Sequence, residues 1–141
     1  MSKNRKNEHF NSTSSCMYLL QCHLIFVCKY RKKLLKGSLN DDILQKLYDI
    51  SKKYDFEIKN MNSDNDHIHF LISYKPKVSI SSIVRVLKQE STIYIWKKYA
   101  NFLKYHYWKE HTFWSDGYFV ASIGDANTQT IQKYIEEQGN E

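Results

Sequence analysis

The chain has 141 residues, enough for one domain with a buried core and too few for two of ordinary size. Lysine and arginine outnumber aspartate and glutamate 21 to 15, a net +6 with a pI near 9.1, so a polyanion is a better partner than a cationic surface. The absence of any apolar run of about 20 residues, and of a hydrophobic segment after Met1-Ser-Lys-Asn-Arg-Lys-Asn-Glu8, speaks against a membrane partner or a secretory signal.

Residues 1–15 are polar, basic and rich in Ser and Asn, and read as a flexible basic arm ahead of a single domain over residues 16–141. A first strand is expected over residues 18–28, where Leu20, Cys22, Leu24 and Phe26 share one parity. Cys22 and Cys28 fall on that same face as small buried hydrophobes. With Cys16 they make an odd set without a Cys-x-x-Cys pair, which points to a soluble protein of the reducing cytoplasm. The basic run Lys29-Tyr30-Arg31-Lys32-Lys33 closes the strand. Ser38 or Asn40 is placed to cap a helix on which Ile43, Leu44, Leu47, Ile50 and Tyr54 recur at helical spacing, and Asp41 and Asp42 suit the positive end of its dipole.

Residues 56–61 and 67–74 read as two strands joined by the polar loop Asn62-Ser-Asp-Asn65, and Pro76 ends the hairpin. A second helix is expected over residues 79–100, with Ile80, Ile83, Val84, Leu87, Tyr94 and Ile95 in its apolar stripe. Residues 101–114 are aromatic and show no period that assigns them. Residues 118–123 form a fourth strand, 124–127 a joint and 128–138 a terminal helix. The order strand, helix, strand, strand, helix, strand is the split βαβ, ferredoxin-like (RRM-like) α+β pattern. It gives an antiparallel sheet with two packing helices and, here, an appended C-terminal helix.

The chemistry concentrates in Asp66-His-Ile-His-Phe-Leu-Ile72. In a strand, His67 and His69 project on one face while Ile68, Phe70 and Ile72 enter the core, so two imidazoles converge where a divalent metal can sit. A hairpin can also carry two histidines for packing reasons, and the pair alone is weak evidence. The terminal helix adds a phenol and an amide, Tyr134 and Gln138, stacked four residues apart. Together these are the parts needed to cleave a phosphodiester through a covalent tyrosine link: a nucleophile with a pKa of about 10 that needs a polarised target, and donors that leave metal positions open for phosphate oxygens. Imidazole suits Mn2+ and oxygen suits Mg2+, so either ion is expected to serve. No Gly-x-x-x-x-Gly-Lys-Ser/Thr loop is present, so no nucleotide cofactor is expected. Aromatic residues make up 15% of the chain, several beside lysines, as in Trp96-Lys-Lys-Tyr99, a pairing that favours single-stranded nucleic acid.

The motifs His23-Leu-Ile-Phe-Val-Cys-Lys-Tyr-Arg31, Asp66-His-Ile-His69, Trp114-Ser-Asp-Gly-Tyr-Phe-Val120, Ser122-Ile-Gly124 and Tyr134-Ile-Glu-Glu-Gln138 follow in order. In this set the chain resembles the single-tyrosine HUH (His-hydrophobic-His) transposases of the IS200/IS605 insertion-sequence group. The resemblance implies that His67, His69 and Gln138 bind the metal and that Tyr134 forms a 5′-phosphotyrosine on single-stranded DNA with hairpin ends. It implies also a homodimer in which the terminal helix of one subunit serves the histidines of the other. Arg31, Lys32, Lys33, Arg85 and Lys88 are the candidates for hairpin contact. The chain departs from the family in Leu87-Lys-Gln-Glu90, where Leu-Lys-Gly is common, and in its aromatic 101–114 region. Two other readings share these residues: a related HUH nickase or domesticated relative, and a non-catalytic RRM-like nucleic-acid-binding module. The first usually comes with a larger chain, and one ending almost at Gln138 is expected to be the minimal transposase.

Overall fold

The computed structural model describes residues 11–12, 16–123 and 128–138. The strands are β1 (Asn11–Ser12), β2 (Met17–Tyr18), β3 (Gln21–Val27), β4 (Phe56–Asp64), β5 (His67–Tyr74) and β6 (Phe119–Ser122). The helices are α1 (Gly37–Ser51), α2 (Ile80–Lys98), the short α3 (Ala100–Tyr107) and α4 (Thr128–Gln138). β1 and β2 pair as a separate two-stranded sheet, so Asn11 and Ser12, read as part of a flexible arm, are strand; the rest of that arm lies outside the described residues.

The main sheet has the order β4-β5-β3-β6 with every neighbouring pair antiparallel, the split βαβ arrangement expected from the element order. Parity in β3 decides what each face receives. Cys22, Leu24 and Phe26 meet Ile68, Phe70 and Ile72 of β5 and the buried stripes of α1 (Ile43, Leu47, Ile50) and α2 (Ile83, Leu87, Ile95) in one core. Ile25 and Val27 point the other way and are covered by Ile135 of α4, which is why Leu24-Ile-Phe-Val27 is buried on both sides of the strand. Trp114 seals the end of the larger core, edge-on to Phe26 at 5.5 Å, and its indole donates to the buried Ser91 hydroxyl at 3.0 Å.

Three local readings change. The Asn62–Asn65 segment is mostly strand: β4 runs to Asp64, and the reversal is made at Asn65, whose φ of 48° only short polar residues and glycine adopt readily. Neither Ser38 nor Asn40 caps α1, which starts at Gly37 with φ +57°; Ser38 Oγ accepts from the Tyr99 hydroxyl and Asn40 Oδ1 from Ser63 Oγ. Part of the aromatic 101–114 region is α3, anchored by Leu103 and Tyr107 four residues apart.

Candidate active site

His67 and His69 share a parity in β5, so both imidazoles stand on the face away from α1 and α2. Each is held by a neighbour. His67 Nδ1 donates to Asp66 Oδ1 at 2.8 Å, which orients the ring and leaves Nε2 as the nitrogen not engaged by Asp66. His69 Nε2 lies 2.9 Å from Nδ1 of His23. Burial first, then the charges of His23 and His67, hold the His69 pKa below the ordinary imidazole value, so the ring is neutral at pH 7, the form that binds a cation.

His23 was not among the residues singled out as ligands. It reaches the site because β3 pairs with β5 in a register that sets Ile25 against His69 and His23 against Leu71, bringing one more imidazole onto the same face. Register is the information a single sequence lacks.

β4 contributes through an irregularity. Its pairing shifts between Ile58 and Asn60, so Lys59 is an extra residue, and beyond it Asn62 opposes His69 and Asp64 opposes His67. A one-residue shift exchanges the two faces of a strand. Phe56 and Ile58 therefore enter the core before the bulge, Ser63 turns to Asn40 of α1 after it, and Asn62 and Asp64 join the histidines.

α4 lies on this face of its own chain. Ile135 is buried against Ile25 and Val27, with Ile131, Tyr134 and Phe119 packed around it, and the Tyr134 ring is 5.7 Å from that of Phe119. Arg31 Nη1 donates to the Glu136 carbonyl at 3.1 Å, one of the terminal carbonyls for which a helix has no internal donor. The Gln138 amide sits on Gly117, where a Cβ would come within 2.5 Å of Nε2 and 2.9 Å of Oε1. β6 pairs Phe119 with Ile25; ahead of it the pairing shifts, with Cys28 bridged to Trp114 and the Ser115 N–H donating to the Val27 carbonyl at 2.8 Å, so Gly117 lies in the extra residues between the two paired stretches. His69, Ile25 and Phe119 thus form one row across the sheet, ending under Tyr134. His67 pairs with Val27 in the next row, and Gln138 rests on Gly117 in the segment leading into β6. The structure brings all four predicted site residues to one sheet face, with the phenol and amide across β3 from the imidazoles.

A family model described as IS200-like transposase matches residues 16–138. The chain belongs to that family. It is 33% identical over 122 residues to the ISDra2 transposase TnpA of Deinococcus radiodurans, covering 86% of each chain. It is 32% identical over 124 residues to the IS200 transposase of Salmonella typhimurium, covering 88% of this chain and 77% of that one. Among solved structures, a putative transposase from Deinococcus radiodurans superposes with a TM-score of 0.83 at 27% identity, covering 91% of this chain and 97% of that one. A REP-associated tyrosine transposase bound to a REP hairpin shares the fold at a TM-score of 0.52 and 15% identity, covering 90% of this chain and 70% of that one.

The donors suit the divalent ion that the resemblance implies. Among the described residues no three His, Cys, Asp or Glu side chains gather as a metal-holding group; the amide oxygen of Gln138, the third donor the resemblance implies, is of a kind that Mg2+ and Mn2+ accept. Each imidazole has one nitrogen held by a neighbour, Nδ1 of His67 by Asp66 and Nε2 of His69 by His23, which limits how the rings can turn.

The five basic candidates separate. Arg31 and Lys33 line a cleft with His67 and Asp64. Lys32 is half-buried, close enough to His106 for its charge to add to the burial that lowers that imidazole's pKa. Arg85 lines a groove with Lys53, Tyr54, Phe56 and Lys77, and Phe56 pairs with Tyr74 at the far end of β5 from His67. Lys88 is half-buried, and its ammonium donates to the Ser115 and Gly117 carbonyls at 2.7 Å and to that of Asp116 at 3.3 Å. It holds the segment that carries Gly117. Among the described residues no helix is long and apolar enough to cross a membrane.

Proposed function

We propose that this chain is a transposase that cuts and rejoins single-stranded DNA at hairpin-bearing insertion-sequence ends. In this reading Tyr134 is the nucleophile and His67, His69 and Gln138 are the donors for Mg2+ or Mn2+. The observation that supports it best is that a buried apolar contact, Ile135 on Ile25 and Val27, holds the tyrosine helix on the face bearing the paired imidazoles. A divalent cation bound there supplies Lewis-acid polarisation of the scissile phosphate.

The residues of the chain do the rest. The Tyr134 phenol oxygen attacks phosphorus and loses its proton as the P–O3′ bond breaks in line. The departing 3′ oxygen takes up a proton, leaving a 3′-hydroxyl on one DNA end and a 5′-phosphotyrosine on the other. Attack by a different 3′-hydroxyl reverses the step and frees the phenol, so rejoining needs no nucleotide cofactor. Asp66 and His23 keep the imidazoles in orientation, and Arg31 fixes the end of α4. A homodimer that exchanges α4 belongs to the same proposal: a helix of 11 residues is marginal by itself and must dock, and the surface it uses exists on every copy.

The test is direct. Purified protein is mixed with single-stranded DNA from the flanks of its own gene and with Mn2+ or Mg2+, then denatured. A protein-DNA band that survives denaturation is expected with wild type and not with Tyr134→Phe, which should still bind the hairpin. Equal reaction with fully paired DNA overturns the single-strand assignment, and an adduct formed by Tyr134→Phe overturns the nucleophile.

A further inference from the structure

α3 ends in a conformation that its packing does not require. Leu103 and Tyr107 fix the helix to the core, and the Tyr107 hydroxyl donates to the Lys29 carbonyl at 3.0 Å. The next residue, Trp108, has φ 55° and ψ −117°, a region that suits glycine and strains a bulky side chain. Its indole is 77% exposed, and Tyr105, three residues earlier, is 85% exposed. A strained tryptophan held in solvent adds nothing to the core.

The surroundings name a ligand class. Trp108 and Tyr105 share a groove with Lys104, Lys109 and His111, and Lys97 lines the adjoining groove, where His111 stacks on Trp96. No carboxylate lines either groove. Exposed aromatic faces among cations are what unpaired bases stack on while their phosphates are neutralised. The patch also adjoins the candidate site. Tyr30 bridges to it, its ring 6.3 Å from that of Tyr107 and its hydroxyl donating to Glu110 at 2.7 Å. Lys32 lies near enough to His106 to act on it by charge, and the His106 ring is 5.2 Å from that of Tyr105. One basic turn, residues 29–33, thus touches α3 at one end and the His67 cleft at the other.

We infer that Trp108 and Tyr105 form a base-stacking platform for an unpaired stretch of the DNA strand, whose phosphates run along Lys32 and Lys33 to the cleft at His67. This rests on the proposed function and adds to it a second contact point, away from the reacting phosphate.

Trp96 and Trp114 are buried, so Trp108 dominates the quenchable tryptophan emission. A single-stranded oligonucleotide carrying a hairpin and an unpaired flank should quench that emission in the full-length protein. Trp108→Ala should weaken binding about 5- to 150-fold with no change in salt dependence, because stacking releases no counterions. Trp108→Phe should keep most of the affinity. Trp108→Gly should raise Tm by relieving the backbone while lowering affinity, a pair of opposite signs that a purely structural residue does not give. Unchanged emission at saturating DNA, or wild-type affinity in Trp108→Ala, overturns the inference and leaves the proposed function standing. If Trp108→Ala instead converts a DNA-free dimer to monomer in sedimentation, the patch belongs to a second copy and the inference also fails. Wild-type protein that binds no oligonucleotide removes the proposed function as well.

Discussion

Gly117 and Gln138 show how one missing methyl group serves a site. A Cβ at position 117 would meet the amide at 2.5 to 2.9 Å, closer than non-bonded atoms tolerate, and it is the flexible glutamine that must yield. Gly117→Ala is therefore expected to leave the free energy of urea unfolding within about 1 kcal/mol of wild type while adduct formation falls about a hundredfold, as for a site group displaced by an ångström. Lys88→Met should do the reverse and cost about 1–3 kcal/mol in urea unfolding, because the buried Ser115 loses the donor to its carbonyl. His23→Ala should lower Mn2+ affinity about 10- to 100-fold in calorimetry or manganese EPR of DNA-free protein, the usual loss when a residue that orients a ligand is removed. Unchanged affinity there would mean that His23 does not position His69. His67, His69, Tyr134 and Gln138 were legible because parity in a strand and four-residue spacing in a helix need no partner. His23, the seat at Gly117 and the carbonyl cage of Lys88 were not, because each depends on which segment lies alongside.

At the level of elements the same division recurs. α1, α2 and β5 carry apolar residues at one clean period, and their places follow from it, whereas β3 is apolar on both faces from Leu24 to Val27. α3 hid its period because Phe102, Tyr105 and Trp108 put aromatic side chains on the solvent face, beside Leu103 and Tyr107 on the buried one. The bulge at Lys59 left no mark in composition, yet it turns Asn62 and Asp64 toward the histidines. α4 differs from the others in how little holds it: Ile135 is its one buried hydrophobic among the described residues, in a cluster separate from the main core. Its stability is therefore local, and it should open without the sheet unfolding. In hydrogen exchange, Ile135→Ala is expected to bring the amides of residues 131–138 close to unprotected rates while those of β3 and β5 stay protected. Equal loss of protection in α4 and the sheet would show instead that the helix is part of the global folding unit, and exchange of α4 between subunits would lose its physical basis.

Over the whole molecule the net charge of +6 is not spread evenly in effect. Toward the Phe56 end of the sheet the cations are matched: Lys53 pairs with Glu90, Lys59 with Glu57, and Lys75 and Lys77 with Asp55. Beside the His67 cleft, Lys32 and Lys33 form no ion pair among the described residues. Arg31 there donates to a helix carbonyl, in a cleft that Asp64, Asp66 and Glu136 also line. The two lysines flank the candidate site, and a polyanion should be drawn along them. Salt titration of hairpin binding reads this out, since each phosphate contact on a single strand adds about 0.7 to the slope of log K against log salt. The double variant Lys32→Ala, Lys33→Ala should lower that slope by about 1.4, whereas Arg85→Ala, set among the matched charges at the opposite end, should leave slope and affinity unchanged. A slope that falls with Arg85→Ala and not with the lysine pair would mean that the strand crosses the molecule by another path, and the assignment of the cleft as its route would have to be given up.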